Sequence, residues 1–179
     1  YGKVRDKDRG DVVVAARKDV ALIDAETGKT VATHIGKELR SMPALVDLDG
    51  DSLAEVVIAD ESNMNARKYN PERNNLSPFW DAAPDGVALT GTIQADPVVA
   101  QMPGQEISRI LIEGAGSNLA AVNPANPTQK IWPDALAMPG QVSTSLSVAA
   151  PMSGPPILIF VDNRPNVWLL TATDGKSLF

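Results

Sequence analysis

The sequence predicts an all-β fold, and within that class a β-propeller made of four four-stranded antiparallel blades. Two observations predict it. Short runs rich in Val, Ile and Ala alternate with turns that contain Gly, Pro, Asn or Asp, which is typical of antiparallel strands joined by short connections. The same order of strands and turns then recurs with a period of about 45 to 50 residues, the length of one propeller blade.

The predicted strands fall into four units of similar order. In each unit the second strand is the most apolar, and a turn follows the third strand. The third strands end at Asp24, Asn70, Asn123 and Thr171, at intervals of 46, 53 and 48 residues. The predicted strands are 2–5, 11–16, 20–24 and 30–34; 44–47, 55–60, 66–70 and 76–80; 96–100, 108–113, 119–123 and 129–132; and 146–150, 156–162, 166–171 and 177–179.

Large rings tend to close the units, at Trp80, Trp132 and Phe179, with His34 at the corresponding place in the first unit. A blade buries its faces only by stacking on its neighbours, so we expect these rings to pack between blades. Sugar stacking by the two tryptophans and metal ligation by His34 are the alternatives that this position disfavours.

We assign the whole chain, 1–179, to one propeller segment with blades at about 1–38, 39–82, 93–134 and 141–179. Residues 81–92 have a weak pattern and are predicted to be a loop between the second and third blades. The chain starts on a first strand and ends on a fourth, so we expect it to be part of a larger ring, completed by further sequence or another chain. A β-sandwich would also alternate short strands and turns, but it would not require the period.

The charge of the chain disfavours several partners. Its formal net charge is −6 and its pI about 4.7, so nucleic-acid phosphates and anionic membrane surfaces would repel it. No apolar run approaches the ~20 residues of a membrane helix, so no membrane span is predicted. The chain starts at Tyr1 without a signal peptide, which gives no information on its compartment.

The residue inventory also weakens most enzymatic interpretations. There is no cysteine and one histidine, which excludes thiolate catalysis and cysteine-ligated zinc and leaves few parts for histidine acid–base chemistry. No Gly-x-Ser-x-Gly or complete Gly-x-x-x-x-Gly-Lys-Ser/Thr motif occurs. We therefore predict a non-enzymatic protein and assign no catalytic residue. The alternative is a calcium-dependent polysaccharide-active enzyme, lyase-like, on a propeller scaffold.

The clearest candidate site lies in residues 41–60, where two apolar runs flank an acidic loop. Asp47, Asp49, Asp51 and Glu55 occupy positions 1, 3, 5 and 9 of a nine-residue segment. Ca²⁺ binds six to eight oxygen ligands, and short acidic side chains at alternate positions of a loop can converge on one ion. The spacing therefore predicts a calcium site.

The backbone of this loop is expected to contribute as well. The carbonyl of Leu53 can supply a further oxygen ligand, and Gly50 gives the conformational freedom that a tight loop needs. An acidic turn whose charges are simply solvated is the alternative interpretation.

The loop DLDGDSLAEVVIA resembles the calcium loop of FG-GAP or VCBS-type propeller repeats, and ALIDAETGK and LLTATDGKSLF resemble the turn after the third strand of PQQ-like (quinoprotein or BamB-like) repeats. The resemblance implies a ring often of seven or eight blades, with calcium bracing the turn between a blade's first two strands. It departs from the usual pattern by Ser52 in place of Gly, which is expected to strain the loop, and by Glu55 in place of Asp. The implied ligands are Asp47, Asp49, Asp51, the Leu53 carbonyl and Glu55.

The same resemblance implies an extracytoplasmic (secreted, periplasmic or cell-surface) module that binds or adheres to a protein or glycan. The succession of DAETGK, SMPALVDLDGDSLAEVVIAD, TIQADPVVA and LIEGAG is also similar to the propeller of PilY1-like type IV pilus-tip adhesins. The third strand of the second unit, MNARKYN, departs from the Gly-Asn-Leu-Trp-like strand of that family.

Overall fold

The computed structural model describes residues 1–61, 63–102, 109–132, 136–142 and 145–178. Every regular element within these residues is a β-strand. The strands are β1 (Asp11–Ala16), β2 (Asp19–Asp24), β3 (Thr30–Ile35), β4 (Ala44–Val46), β5 (Glu55–Asp60), β6 (Asn63–Asn70), β7 (Asn75–Pro78), β8 (Val87–Ala88), β9 (Val98–Gln101), β10 (Arg109–Ala115), β11 (Asn118–Asn123), β12 (Asn126–Lys130), β13 (Leu136–Ala137), β14 (Ser147–Ala149), β15 (Ile157–Val161) and β16 (Val167–Thr171).

The strands form four antiparallel sheets in chain order, which we call blades 1 to 4. Blade 1 is β1-β2-β3 and blade 4 is β14-β15-β16. Blade 2 is β4-β5-β6-β7 with β8 also paired to β6, and blade 3 is β9-β10-β11-β12 with β13 also paired to β11. Apart from β8 and β13, the strands of each sheet pair in sequence order, as expected for blades, and the predicted all-β propeller architecture is confirmed.

The first strand of a blade differs from the prediction in blade 1. In blades 2 to 4 the segment entering the blade begins with an isolated bridge and continues as β4, β9 or β14. In blade 1, the predicted strand at 2–5 is only a bridge between Gly2 and Asp11, because the chain turns away at Lys3 into the loop that leads to β1. The entering bridges of blades 2 to 4 are Leu39 with Asp60, Ile93 with Ala115 and Val142 with Asp162.

The last strand of a blade also differs from the prediction, in blades 2 and 4. Residues 81–92, predicted to be a loop, also contain the two-residue strand β8, because β7 covers only one half of β6 and the chain returns to pair with the other half. Gly86 permits this return, because its φ of +91° suits glycine and a Cβ there would lie 2.6 Å from the carbonyl oxygen of Met64. In blade 4 the predicted strand at 177–179 is reduced to a bridge between Leu170 and Ser177, and residue 179 lies outside the described residues.

The core lies between the blades. Alternate residues of β5 point to opposite faces: Val56 and Ile58 join a buried cluster with blade 1, and Val57 joins one with blade 3. This alternation explains why all six residues of β5 are buried and why the second strand of each unit reads as the most apolar. Among the described residues, the larger interblade clusters contain Val20, Leu22, Val56 and Ile58; Val57, Met64, Trp80 and Val122; and Ile112, Leu119, Trp132, Leu158 and Phe160.

The segments that enter blades 2, 3 and 4 are also linked by a polar side chain. Asp96 accepts a hydrogen bond from the backbone N–H of Met42 at 2.6 Å and another from the Ser145 hydroxyl at 2.9 Å. One carboxylate thus connects three successive blades.

Candidate metal centre

The acidic loop joins β4 to β5 and is folded by its own side chains. Asp47 accepts hydrogen bonds from the backbone N–H groups of Gly50, at 2.5 Å, and Ser52, at 3.1 Å. Asp49 accepts from the N–H of Asp51, two residues later, as is typical of an Asx turn. The short acidic side chains that the sequence places at alternate positions therefore also determine the course of the backbone.

Two residues of this loop lie in the left-handed region, with φ of +86° at Gly50 and +72° at Ser52. Glycine adopts this conformation readily, whereas a residue with a Cβ is strained by about 1–2 kcal/mol. The structure therefore confirms the strain predicted at Ser52.

Three of the predicted ligands lie together. Carboxylate oxygens of Asp47, Asp49 and Glu55 lie within 4.8 Å of one another. Asp51 is not in this group; its Oδ1 accepts from the N–H of Leu53 at 2.7 Å and its Oδ2 lies 2.8 Å from the Lys68 ammonium. The roles of Asp51 and of the Leu53 carbonyl as ligands remain predictions.

Glu55 is the buried member of the group. Its side chain is fully buried, and its Oε2 accepts a hydrogen bond from the backbone N–H of Leu48 at 2.7 Å, whereas its Oε1 has no hydrogen-bond partner. Burial raises the pKa of Glu55 to about 7, opposed by the Leu48 hydrogen bond and aided by the negative charge of Asp49. A buried oxygen without a partner is costly, and a cation in the loop would supply one.

Lys68 completes the charge arrangement, and the sequence analysis missed it. Its Nζ lies 2.7 Å from Asp49 Oδ2, 2.8 Å from Asp51 Oδ2 and 3.9 Å from Glu55 Oε1. Hydrogen bonds to the two aspartates raise the pKa of Lys68, and the bond to Asp49 has the larger effect. In the β5–β6 register Val56 faces Arg67, which places Lys68 opposite Glu55. Strand register was the signal that could have identified it.

Blade 1 contains a loop of the same length at the same place. The bridge between Gly2 and Asp11 corresponds to the pair of Val46 and Glu55, so residues 3–11 correspond to residues 47–55. Asp11 Oδ2 accepts from the N–H of Val4 at 3.2 Å, as Glu55 accepts from Leu48. The blade 1 loop is thus a full-length counterpart of the acidic loop in blade 2.

Two positions of the blade 1 loop region carry charges opposite to those of their counterparts in blade 2. Arg5 stands at the position of Asp49, and its guanidinium lies 2.7 Å from both Asp11 and Asp24. Asp24 faces Asp11 across the β1–β2 pair, the place that Lys68 takes opposite Glu55. Arg5 lowers the pKa of Asp24 well below its usual range. A guanidinium therefore neutralises the buried carboxylate of blade 1.

The donor set of blade 2 suits a hard cation, since all its side-chain ligands are carboxylate oxygens. In the described part of the chain, Asp47, Asp49 and Glu55 form the one group of three or more acidic, histidine or cysteine side chains close enough to share an ion. His34 lies outside it, in β3 opposite Val20, where burial and then the charge of Arg67 lower its pKa. Within the described residues, no helix is long and apolar enough to span a bilayer.

The fold is shared with known propellers. No protein-family model and no curated protein sequence matches the chain. Among solved structures, BBS1N in complex with ARL6DN is similar in two crystals, soaked with lead and with mercury, with a TM-score of 0.66 in both, 12% and 11% identity, and coverage of 94% of this chain and 48% and 47% of BBS1N. BamB from Moraxella catarrhalis has a TM-score of 0.58 and 14% identity over 94% of this chain and 48% of its own.

These similarities define the class of the protein as a β-propeller. Identities of this size show a common fold and nothing narrower. The chain spans about half the length of the similar structures.

Proposed function

We propose that the protein is a non-enzymatic, calcium-braced β-propeller that serves as an extracytoplasmic binding or adhesion module, with a protein segment as its ligand. The observation that carries the binding role is a groove along the edge of β1 that faces away from β2. Trp80 and Trp132, the rings considered for glycan stacking, are buried between blades, which favours a protein ligand over a glycan. In the similar structure of BBS1N the propeller is in complex with a protein, ARL6DN.

The groove exposes the hydrogen-bonding edge of a strand. Asp11 exchanges both backbone hydrogen bonds with Gly2 on this edge, so the N–H and C=O groups of Val13 and Ala15 point to the same side. In blades 2 to 4 the corresponding edge is paired with β4, β9 or β14. In the described part of blade 1, Gly2 is the residue that pairs there. An extended segment, from further sequence of the same protein or from another chain, could add to the remaining edge by β-strand addition.

Apolar and charged side chains together line the groove at this edge. The groove has a volume of about 600 Å³, and its charged lining residues are Arg17, Arg40 and Asp96. Two of its apolar members are exposed, with 71% exposure for Met42 and 44% for Val14. Exposed apolar groups grouped around an unpaired strand edge are typical of a protein interaction site.

A peptide titration tests this role. The peptide LRSMPALV, residues 39–46, covers the corresponding edge in blade 2 and can be labelled for fluorescence anisotropy. We expect saturable binding that Val14→Lys weakens at least tenfold and that Val167→Lys, a matched change at an exposed valine of blade 4, leaves unchanged. Binding equal to that of a scrambled peptide would contradict the proposal.

The calcium brace rests on the group of Asp47, Asp49 and Glu55 and on the buried Oε1 of Glu55, which has no hydrogen-bond partner. Ca²⁺ held by these residues would neutralise repelling carboxylates and fix the β4–β5 connection. We expect millimolar Ca²⁺ to raise the melting temperature and EGTA to reverse the rise. Asp47→Asn should abolish the effect, and Asp6→Asn, in the blade 1 loop, should not. An identical melting temperature with Ca²⁺ and with EGTA would exclude the brace.

The extracytoplasmic location follows from the same proposal. Calcium modules outside the cell bind with dissociation constants of about 10⁻⁴–10⁻³ M, which a loop as exposed as this one would suit.

The four blades are further proposed to form an arc of a larger ring, since 94% of the chain matches only 48% of BBS1N. Analytical ultracentrifugation tests whether a second copy completes the ring. A chain that stays monomeric at all concentrations would favour closure by further blades.

A further inference from the structure

The acidic loop of blade 2 already holds a cation of the protein itself. The Lys68 ammonium contacts Asp49 and Asp51 at 2.7 and 2.8 Å, but it lies 3.9 Å from Glu55 Oε1, too far for a hydrogen bond. Lys68 therefore neutralises the aspartates and leaves a buried oxygen of the group, Glu55 Oε1, without a hydrogen bond.

We propose that Lys68 is the internal counter-ion of the metal-free loop and that a divalent cation binding to Asp47, Asp49 and Glu55 displaces its ammonium. This inference rests on the calcium site proposed above. The Asp49 carboxylate belongs to both the lysine contact and the metal group. Two cations held by the same small group of carboxylates repel each other, so occupancy by one weakens binding of the other.

The position of Lys68 makes such an exchange feasible. Its side chain is 37% exposed, and a lysine head group on a flexible stem can leave the loop for water. An open groove of about 390 Å³ lies beside it and is lined by Glu72 and Asn70, which offer oxygen acceptors to the displaced ammonium. A bound metal ion would give the Oε1 of Glu55, which has no hydrogen-bond partner, a direct ligand contact.

In blade 1 the cation of the equivalent loop contacts the buried carboxylate directly. Arg5 belongs to the loop itself and contacts both Asp11 and Asp24 at 2.7 Å, and its side chain is only 17% exposed. The guanidinium thus binds the buried carboxylate directly, which Lys68 does not do for Glu55. The two loops balance their acidic side chains in different ways, by a guanidinium that contacts the buried carboxylate in blade 1 and by an ammonium that contacts the exposed aspartates in blade 2.

Calorimetric titration with Ca²⁺ tests the competition. We compare the wild-type protein with Lys68→Met, which keeps most of the apolar stem, and with Lys176→Met as a matched control, because Lys176 pairs with Asp174 away from the loop. We expect Lys68→Met to bind Ca²⁺ at least tenfold more tightly than wild type and Lys176→Met to bind as wild type. Lys68→Arg, which keeps the positive charge, should bind no more tightly than wild type.

Melting curves and NMR provide readouts independent of affinity. Without Ca²⁺, Lys68→Met should melt at a lower temperature than wild type, and it should gain more on addition of Ca²⁺. The NMR signal of the Lys68 side chain, assigned from its loss in the variant, should shift to that of a solvated lysine on saturation with Ca²⁺.

The outcomes separate this inference from the site on which it rests. Calcium affinity that is equal or weaker in a folded Lys68→Met would overturn the competition while leaving the calcium site intact. Calcium binding by Lys68→Met alone would support the competition in its strongest form. Absence of binding by both folded proteins would overturn the site and the competition together.

Discussion

The indole Nε1 of Trp80 donates a hydrogen bond at 2.8 Å to the carbonyl oxygen of Pro124, which lies 44 residues later in the next blade. The contact recurs one blade further on, where Trp132 Nε1 donates to the carbonyl oxygen of Ala172 at 3.2 Å. Both acceptors directly follow the last residue of a third strand, Asn123 or Thr171. The ring that closes one blade thus binds the turn of the next, which gives the blades a repeated, directional connection.

Replacement of Trp80 by Phe should destabilise the protein by about 2–4 kcal/mol, because it removes a buried hydrogen bond and part of a ring from the cluster between blades 2 and 3. Chemical denaturation measures the change. Tyr69→Phe removes an exposed hydroxyl that donates to Asn74 and should alter stability by less than about 0.5 kcal/mol. Equal effects of the two changes would contradict a role for Trp80 in joining the blades.

Replacement of Arg5 by Met should cost about 3–5 kcal/mol, because it leaves the fully buried Asp11 without its counter-ion. Urea unfolding of Arg5→Met and of Lys7→Met, an exposed change in the same loop, gives the comparison. Adding Asp11→Asn to Arg5→Met should recover part of the loss. A stability of Arg5→Met within 1 kcal/mol of wild type would show that the buried pair is dispensable.

Replacement of Ser52 by Gly should raise stability by up to about 1 kcal/mol, because glycine adopts a φ of +72° without strain, although its greater freedom in the unfolded chain offsets part of the gain. Thermal unfolding in EGTA measures the effect without metal. Ser77→Gly, in the strand β7, is the matched control and should destabilise. Loss of stability in Ser52→Gly would mean that the serine side chain contributes more than its backbone strain costs.

Replacement of Glu113 by Gln should flatten the pH dependence of stability. Burial raises the pKa of Glu113 well above its usual value, and its Oε2 has no hydrogen-bond partner. A raised pKa in the folded state means that this group's stabilisation is complete below about pH 4.5 and is lost as the pH rises through the folded-state pKa, by at most about 1.4 kcal/mol per pH unit.

Denaturation of wild type and Glu113→Gln between pH 4 and pH 8 tests this expectation. The variant should become relatively more stable as the pH rises, since its side chain carries no charge to bury. Glu26→Gln, an exposed change in a turn, should keep the slope of wild type. Parallel curves for wild type and Glu113→Gln would show that Glu113 does not contribute to the pH dependence of stability.

Local patterns in the sequence were sufficient for the repeat and for most strands. The apolar run of β5 and the turn after Asp24 depend on neighbouring residues, so they can be read along the chain. The strands β8 and β13 could not be predicted, because two residues carry no periodic pattern and their pairing depends on where β7 and β12 leave an edge uncovered. The acidic spacing at Asp47, Asp49 and Glu55 predicted a group that the fold does bring together.

The sequence by itself determined that the chain forms repeated antiparallel units and that one connection is rich in carboxylates, because strand alternation and loop chemistry are local properties. Only the tertiary structure decided which cation each loop meets. Arg5 and Lys68 reach Asp11 and Asp49 through strand register and loop closure, which join residues 6 and 19 positions apart. Electrostatic energy depends on distance in space rather than in sequence, so the opposite charge arrangements of two equivalent loops emerge only once the strands have paired.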